Sequence, residues 1–69
     1  MVEKFCKRLI EERKGAKITQ VEMASMLGIS QPSYIRYENG TSEPNLTNLI
    51  KLSEILDVSI DYLLGKNDI

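Results

Sequence analysis

Pro32, Arg36 and Asn39 fall at offsets of four and three, the spacing that aligns side chains along one face of an α-helix. Tyr34, Tyr37 and Glu38 fall on the opposite face, and Ile35 lies at the edge of the first. A guanidinium fork and a carboxamide in one row are hydrogen-bonding groups that recognise a partner without making or breaking bonds. Groups that would do covalent chemistry are scarce. The chain has no histidine, the commonest general base and metal ligand, and a single cysteine, Cys6. No nucleophile–base pair and no zinc site can be assembled from that set. Catalysis is therefore not expected, and no cofactor or metal is called for. Cys6 cannot close an internal disulfide, which fits a reducing cytosol. Its helix-patterned neighbours make it a buried or half-buried structural thiol.

Sixty-nine residues allow one domain spanning 1–69, with a core but no deep cleft. Apolar residues make up 42% of the chain, ordinary for a globular fold and too high for a disordered one. Apolar runs are short, so no segment is expected to span a membrane. The opening Met1-Val2-Glu3-Lys4 predicts no secretory leader. The net charge of −1 is uninformative, but its distribution is not. Residues 1–17 hold Lys4, Lys7, Arg8, Arg13, Lys14 and Lys17 against Glu3, Glu11 and Glu12, a balance of +3. Residues 18–69 hold Arg36, Lys51 and Lys66 against seven acids, a balance of −4. Such polarity fits either a face prepared for an anion or plain solvated helix surface.

Five helical segments and no strand position these residues. The first spans about 2–14, with Phe5, Leu9 and Arg13 in one row, Val2 and Ile10 alongside, and Gly15 as its stop. The second opens on a capping box, Thr19-Gln20-Val21-Glu22, with Ile18 and Met23 spaced as a hydrophobic staple. Met23, Ala24 and Leu27 form its buried stripe, and Gly28 ends it. Ser30 caps the third, Pro32 occupies its first turn, and Gly40 ends it. After the loop Thr41–Asn45, the fourth segment, about 46–57, sets Leu46, Leu49, Leu52 and Leu56 at core spacing. Ser59 caps a short fifth with Ile60, Leu63 and Leu64 inward. Gly65 stops it, and 66–69 reads as a frayed tail.

The stretch TQVEMASMLGISQPSYIRYENG, Thr19 to Gly40, joins the second and third segments by a tight corner. A small residue at Ala24 lets the third helix cross the second closely. Gly28 supplies the positive-φ turn, and Ile29 drops beneath it. Tyr34 and Tyr37 anchor the third helix from behind, which leaves the Pro32–Arg36–Asn39 face projecting. A short helix projecting from a helix-turn-helix unit fits the major groove of B-DNA.

With ITQVEMASMLGIS, RYENG, EPNLTNLIKLSEIL and VSIDYLLG in place, the chain resembles the lambda-repressor/Cro-type helix-turn-helix family, also called the xenobiotic-response-element family. The likeness runs from about Phe5 to Gly65. It implies an all-α, five-helix bundle that binds operator DNA as a homodimer and regulates transcription, most often as a repressor, in a bacterial cytoplasm. Such a protein associates with the nucleoid when bound. By position, Gln31, Pro32, Ser33, Ile35 and Arg36 match base-facing places. Gln is suited to adenine and Arg to guanine. Pro32 departs from the family's polar pattern and offers only apolar contact, as to a thymine methyl. Ile35 either touches a thymine methyl or sugar, or is an exposed isoleucine. Thr19, Gln20 and Asn39 match phosphate contacts, and Thr41 and Ser42 add hydroxyl or backbone N–H groups. Glu43 departs from the basic residues of some relatives. Lys14 and Lys17 either compensate for it or are ordinary surface lysines. Arg13 and Glu38 match an ion pair joining the first helix to the third. Such a pair fixes orientation more than it stabilises, so Arg13→Leu is expected to lose DNA binding beyond its loss of stability.

One short helix reads only a few base pairs, so two copies about one helical turn apart are expected on a near-palindromic operator. Val58, Ser59 and Tyr62 lie where relatives pair, with Ile50 and Ile55 nearby. Val21 and Met26 are apolar at solvent-facing positions. They are a second contact surface or nothing. The competing readings keep the fold but use it as a protein-interaction module or an antitoxin-like partner binder. Many relatives continue past the LLG motif. The chain is thus either a stand-alone regulator or the DNA-binding part of a longer one.

Overall fold

The computed structural model describes residues 2–69. Met1 and the Val2 side chain, which the sequence places beside the core row of the first helix, lie outside the described residues. Five α-helices follow one another: α1 (Val2–Gly15), α2 (Gln20–Leu27), α3 (Gln31–Asn39), α4 (Leu46–Leu56) and α5 (Ile60–Leu64). No strand occurs among the described residues, and none of these helices is long and apolar enough to cross a membrane.

The caps set the boundaries. Thr19 accepts from the Glu22 N–H while Glu22 accepts from the Thr19 N–H, a complete capping box. Ser30, Asn45 and Ser59 cap α3, α4 and α5 with the first half of that box only, each side chain accepting from the N–H three residues on. At the other ends, Gly28 and Gly40 take the left-handed conformation that a side chain resists. Two ends do without glycine. Asp57 closes α4 at φ 55°. α1 runs through Gly15, and the left-handed residue is Lys17, at φ 60°. The Ile18 N–H reaches back to the Arg13 carbonyl at 3.1 Å and the Lys17 N–H to the Lys14 carbonyl at 3.0 Å. The turn is a Schellman closure with a lysine at its crux.

One core holds the bundle. Phe5 and Leu9 of α1, Met23, Ala24 and Leu27 of α2, Tyr34 and Tyr37 of α3, Leu52 and Leu56 of α4 and Leu63 of α5 are all buried together. Ile18, Ile29, Val58 and Cys6 pack against that cluster. Ala24 is 3% exposed, so its methyl group sits within the core where α2 and α3 meet. The Cys6 thiol is half-buried and donates to the Tyr37 carbonyl at 3.4 Å. Burial pushes its pKa up, as befits a structural thiol.

Leu46 departs from the core spacing assigned to it. It is 78% exposed, because at 100° per residue it falls to one side of the stripe of Leu49, Leu52 and Leu56. Asn48 takes a buried place on the first turn of α4 instead, donating to the Tyr37 hydroxyl at 3.1 Å. The last four residues, expected to fray, lie back across α1 and α5 here. Arg8 Nη1 donates to the Tyr62 and Asn67 carbonyls, each at 2.6 Å, and Ser59 Oγ donates to the Ile69 carbonyl at 3.1 Å.

Candidate nucleic-acid interface

α3 carries two chemically distinct faces. Tyr34, Tyr37 and Glu38 are buried, while Gln31, Pro32, Arg36 and Asn39 are exposed. Tyr34 and Tyr37 meet edge to face, ring centroids 6.2 Å apart, which fixes the helix from behind. Ile35 and Ser33 are half-buried at the two edges. The Ser33 N–H donates to Ser30 Oγ at 3.2 Å, and the Ser30 hydroxyl donates to Ser33 Oγ at 2.9 Å.

The phosphate-facing candidates surround this helix. Capping uses the oxygen lone pairs of Thr19 and the Glu22 N–H, so the first-turn N–H groups of Gln20 and Val21 remain for an anion. The cap bonds hold the Glu22 carboxyl below its ordinary pKa, keeping that group ionised. Asn39 Oδ1 accepts from the Thr41 N–H at 3.0 Å and from the Thr41 hydroxyl at 2.7 Å. That leaves the Asn39 amide nitrogen to donate outward. Of the hydroxyl or backbone N–H groups expected from Thr41 and Ser42, both N–H groups are engaged within the chain. The Thr41 N–H is taken by Asn39, and the Ser42 N–H by the Arg36 carbonyl at 3.2 Å. The loop spends those donors on closing α3. Lys17 and Lys14 are exposed beside the α1–α2 turn.

A buried polar network ties the two helices of the corner to α1. Arg13 Nε donates to Glu38 Oε2 at 2.6 Å and Nη2 to Oε1 at 3.3 Å. Arg13 Nη1 also holds the Ile18 carbonyl at 2.9 Å. The Tyr34 hydroxyl donates to Glu38 Oε2, and Gln20 Nε2 donates to Oε1 at 3.0 Å. Four donors thus meet the roughly four lone-pair positions of one carboxylate. Burial alone would push the Glu38 pKa up, but the bonds from Arg13, Tyr34 and Gln20 outweigh it, and the group ionises below its ordinary value. Burial and the adjacent carboxylate push the Tyr34 hydroxyl up. The pairing with Glu38 raises Arg13. At neutral pH all three are locked in the donor and acceptor forms the geometry needs.

A helix-turn-helix family model matches residues 9–63. The chain belongs to this family. The five-helix bundle and the Thr19–Asn39 corner expected from the resemblance are both present. This helix-turn-helix domain is 52% identical over 60 residues to YqaE, an uncharacterized HTH-type transcriptional regulator of Bacillus subtilis. That match covers 87% of this chain and 52% of the relative. It is 43% identical over 63 residues to RstR of Vibrio cholerae, a cryptic phage CTXphi transcriptional repressor, covering 91% and 56%. The chain spans about half the length of these curated relatives. Among solved structures, it superimposes on the P22 c2 repressor protein in complex with a synthetic operator. The TM-score is 0.84 at 36% identity, covering 91% of this chain and 96% of that one.

The fold brings Thr19, Gln20, Lys17 and the exposed α3 face of this family member to the two helices of one motif and the turn that precedes them. Val58, Ser59 and Tyr62 fall apart from them, at the α4–α5 corner. Val58 and Tyr62 are half-buried and Ser59 is exposed. Tyr62 is engaged within the chain. Arg8 lies over its ring at 4.3 Å, and its hydroxyl donates to Glu12 Oε2 at 3.2 Å. Burial, then the Glu12 contact, pushes that hydroxyl's pKa up. No local spacing gives Arg8 a role, because the Tyr62 and Asn67 carbonyls it holds lie 54 and 59 positions away. The Gln20–Glu38 bond was also missed, since no local spacing links positions eighteen apart.

Proposed function

We propose that this chain is a sequence-specific DNA-binding transcriptional regulator, a repressor, that seats α3 in the major groove as a homodimer. The observation that carries this is the division of α3 into a buried anchoring face and an exposed row of Gln31, Pro32, Arg36 and Asn39, on a bundle that superimposes on an operator-bound repressor. In this reading Gln31 and Arg36 read base edges, Ser33 assists, and Pro32 and Ile35 give apolar contact to thymine methyls. Thr19, Gln20, Asn39 and Lys17 hold phosphates with the α2 N-terminus. Thr41 and Ser42 contribute through their side chains at most. Arg13 and Glu38 hold the motif in register. Pairing occurs through the α4–α5 corner around Val58, Ser59 and Tyr62, and the protein works in the bacterial cytoplasm on the nucleoid.

Selection from a random duplex library at near-physiological salt tests this. Enrichment of a near-palindrome with half-sites about one helical turn apart is the expected result. Arg36→Ala should then relax one base position per half-site, at a cost of about 1–3 kcal/mol per contact. No enrichment, with binding of duplexes that is weak and independent of sequence, refutes the reading. A protein-interaction role would instead give no steep salt dependence on DNA.

A further inference from the structure

Gln20 is the first residue of α2, half-buried, and its side chain crosses to Glu38 on the buried face of α3. An ionised carboxylate only accepts, so the Gln20 amide must turn its nitrogen toward Glu38. An amide nitrogen carries two hydrogens in one plane. Committing one inward fixes that plane and directs the other away from Glu38. The second N–H belongs to the same residue whose backbone amide opens the helix, where the dipole favours an anion. Glu38 cannot swing to follow a mobile Gln20, because Arg13 and Tyr34 hold both of its oxygens. Arg13 in turn is tied to the Ile18 carbonyl, one residue before the α2 cap.

We propose that Glu38 is a positioning residue for DNA. Through Gln20 it sets the direction of the phosphate-binding N–H of α2, and so makes the phosphate clamp depend on how α3 is seated. This rests on the reading above that Gln20 holds a phosphate. A misdocked α3 draws the carboxylate away and lets the Gln20 amide rotate, which weakens the clamp together with the base contacts. Phosphate and base recognition are then coupled through a group that touches neither.

A double-mutant cycle on the operator found by selection tests the proposal, using the 69-residue chain as wild type, Gln20→Ala, Glu38→Gln and both. Gln20→Ala should weaken binding roughly tenfold per half-site, the loss of one hydrogen bond to a charged group. Glu38→Gln should weaken binding comparably when Gln20 is present and add little when it is alanine. An equal Glu38→Gln loss on both backgrounds overturns the proposal while the phosphate reading survives. Wild-type affinity in Gln20→Ala overturns both. If Glu38→Gln does not fold, the wild-type Gln20 side-chain amide decides by NMR. One Nε2 proton should be protected from exchange in the free protein, with the second becoming protected on adding operator. Two freely exchanging protons, or release of the first on binding, overturns the proposal.

Discussion

If Lys17 holds a phosphate as proposed, replacing it with glycine should move stability and binding in opposite directions. Lys17 stands at φ 60°, a conformation that costs an ordinary L-residue roughly 1–2 kcal/mol. Its backbone is locked there by the bonds Lys17 N–H to Lys14 carbonyl and Ile18 N–H to Arg13 carbonyl. Glycine removes the strain but adds about 0.4–1 kcal/mol of unfolded-chain entropy. The net gain for Lys17→Gly is about 0.5–1 kcal/mol, or roughly 2–8 °C in Tm for a domain of this size. Binding should move the other way. Losing one phosphate-neutralising lysine from each of two half-sites lowers the slope of log affinity against log salt by about 0.9 per contact. Lys17→Ala is the control, because it loses the same charge but keeps a Cβ at positive φ. It should match the binding loss with no stability gain. Thermal melts and a salt titration of operator affinity suffice. A less stable Lys17→Gly chain would refute the strain assignment, and an unchanged salt slope would refute the phosphate contact.

Three further outcomes are expected. Replacing the buried polar set together, Arg13→Met with Tyr34→Phe and Glu38→Leu, should leave the melting temperature near or above wild type, since exchanging a whole buried pair for apolar groups is often neutral or stabilising. Operator affinity should nevertheless fall at least tenfold, and wild-type affinity would show that the network does not set the binding geometry. Glu38 ionises below the ordinary carboxylate value of 4.5, so its contribution to stability is complete above that value and is lost as pH falls through the depressed one. Unfolding free energy followed from pH 7 downward should drop in that acidic window, and the drop should shrink in Glu38→Gln. A Cβ added at Gly65 would lie 2.5 Å from Lys4 Cδ and 2.8 Å from Lys4 Cβ, at φ +81°. Gly65→Ala should therefore cost about 1–2 kcal/mol in denaturant unfolding, and adding Lys4→Ala should recover only the part due to the Lys4 Cγ and Cδ contacts, because the Cβ at 2.8 Å remains.

What the sequence determined by itself was everything written in short-range spacing. The Thr19–Glu22 box, the caps at Ser30 and Ser59 and the stops at Gly28, Gly40 and Gly65 are local chemistry, legible within four or five residues. The two faces of α3 followed from the 3.6-residue period, because a helix sorts its side chains by angle alone. That period identified the exposed row, while the family came from the resemblance of whole motifs such as ITQVEMASMLGIS and RYENG. It misplaced Leu46, which lies at the margin of the apolar stripe, where spacing alone does not state how far around the helix the neighbours reach. Tertiary structure alone decided the rest. The left-handed lysine at the α1–α2 turn and the Arg8 hold on α5 depend on how two helix ends approach each other. The loss of the Thr41 and Ser42 amides depends on the path of the closing loop. The fourfold coordination of Glu38 gathers donors from three helices. Hydrogen bonds between distant residues need distance and direction together, and a linear pattern carries neither.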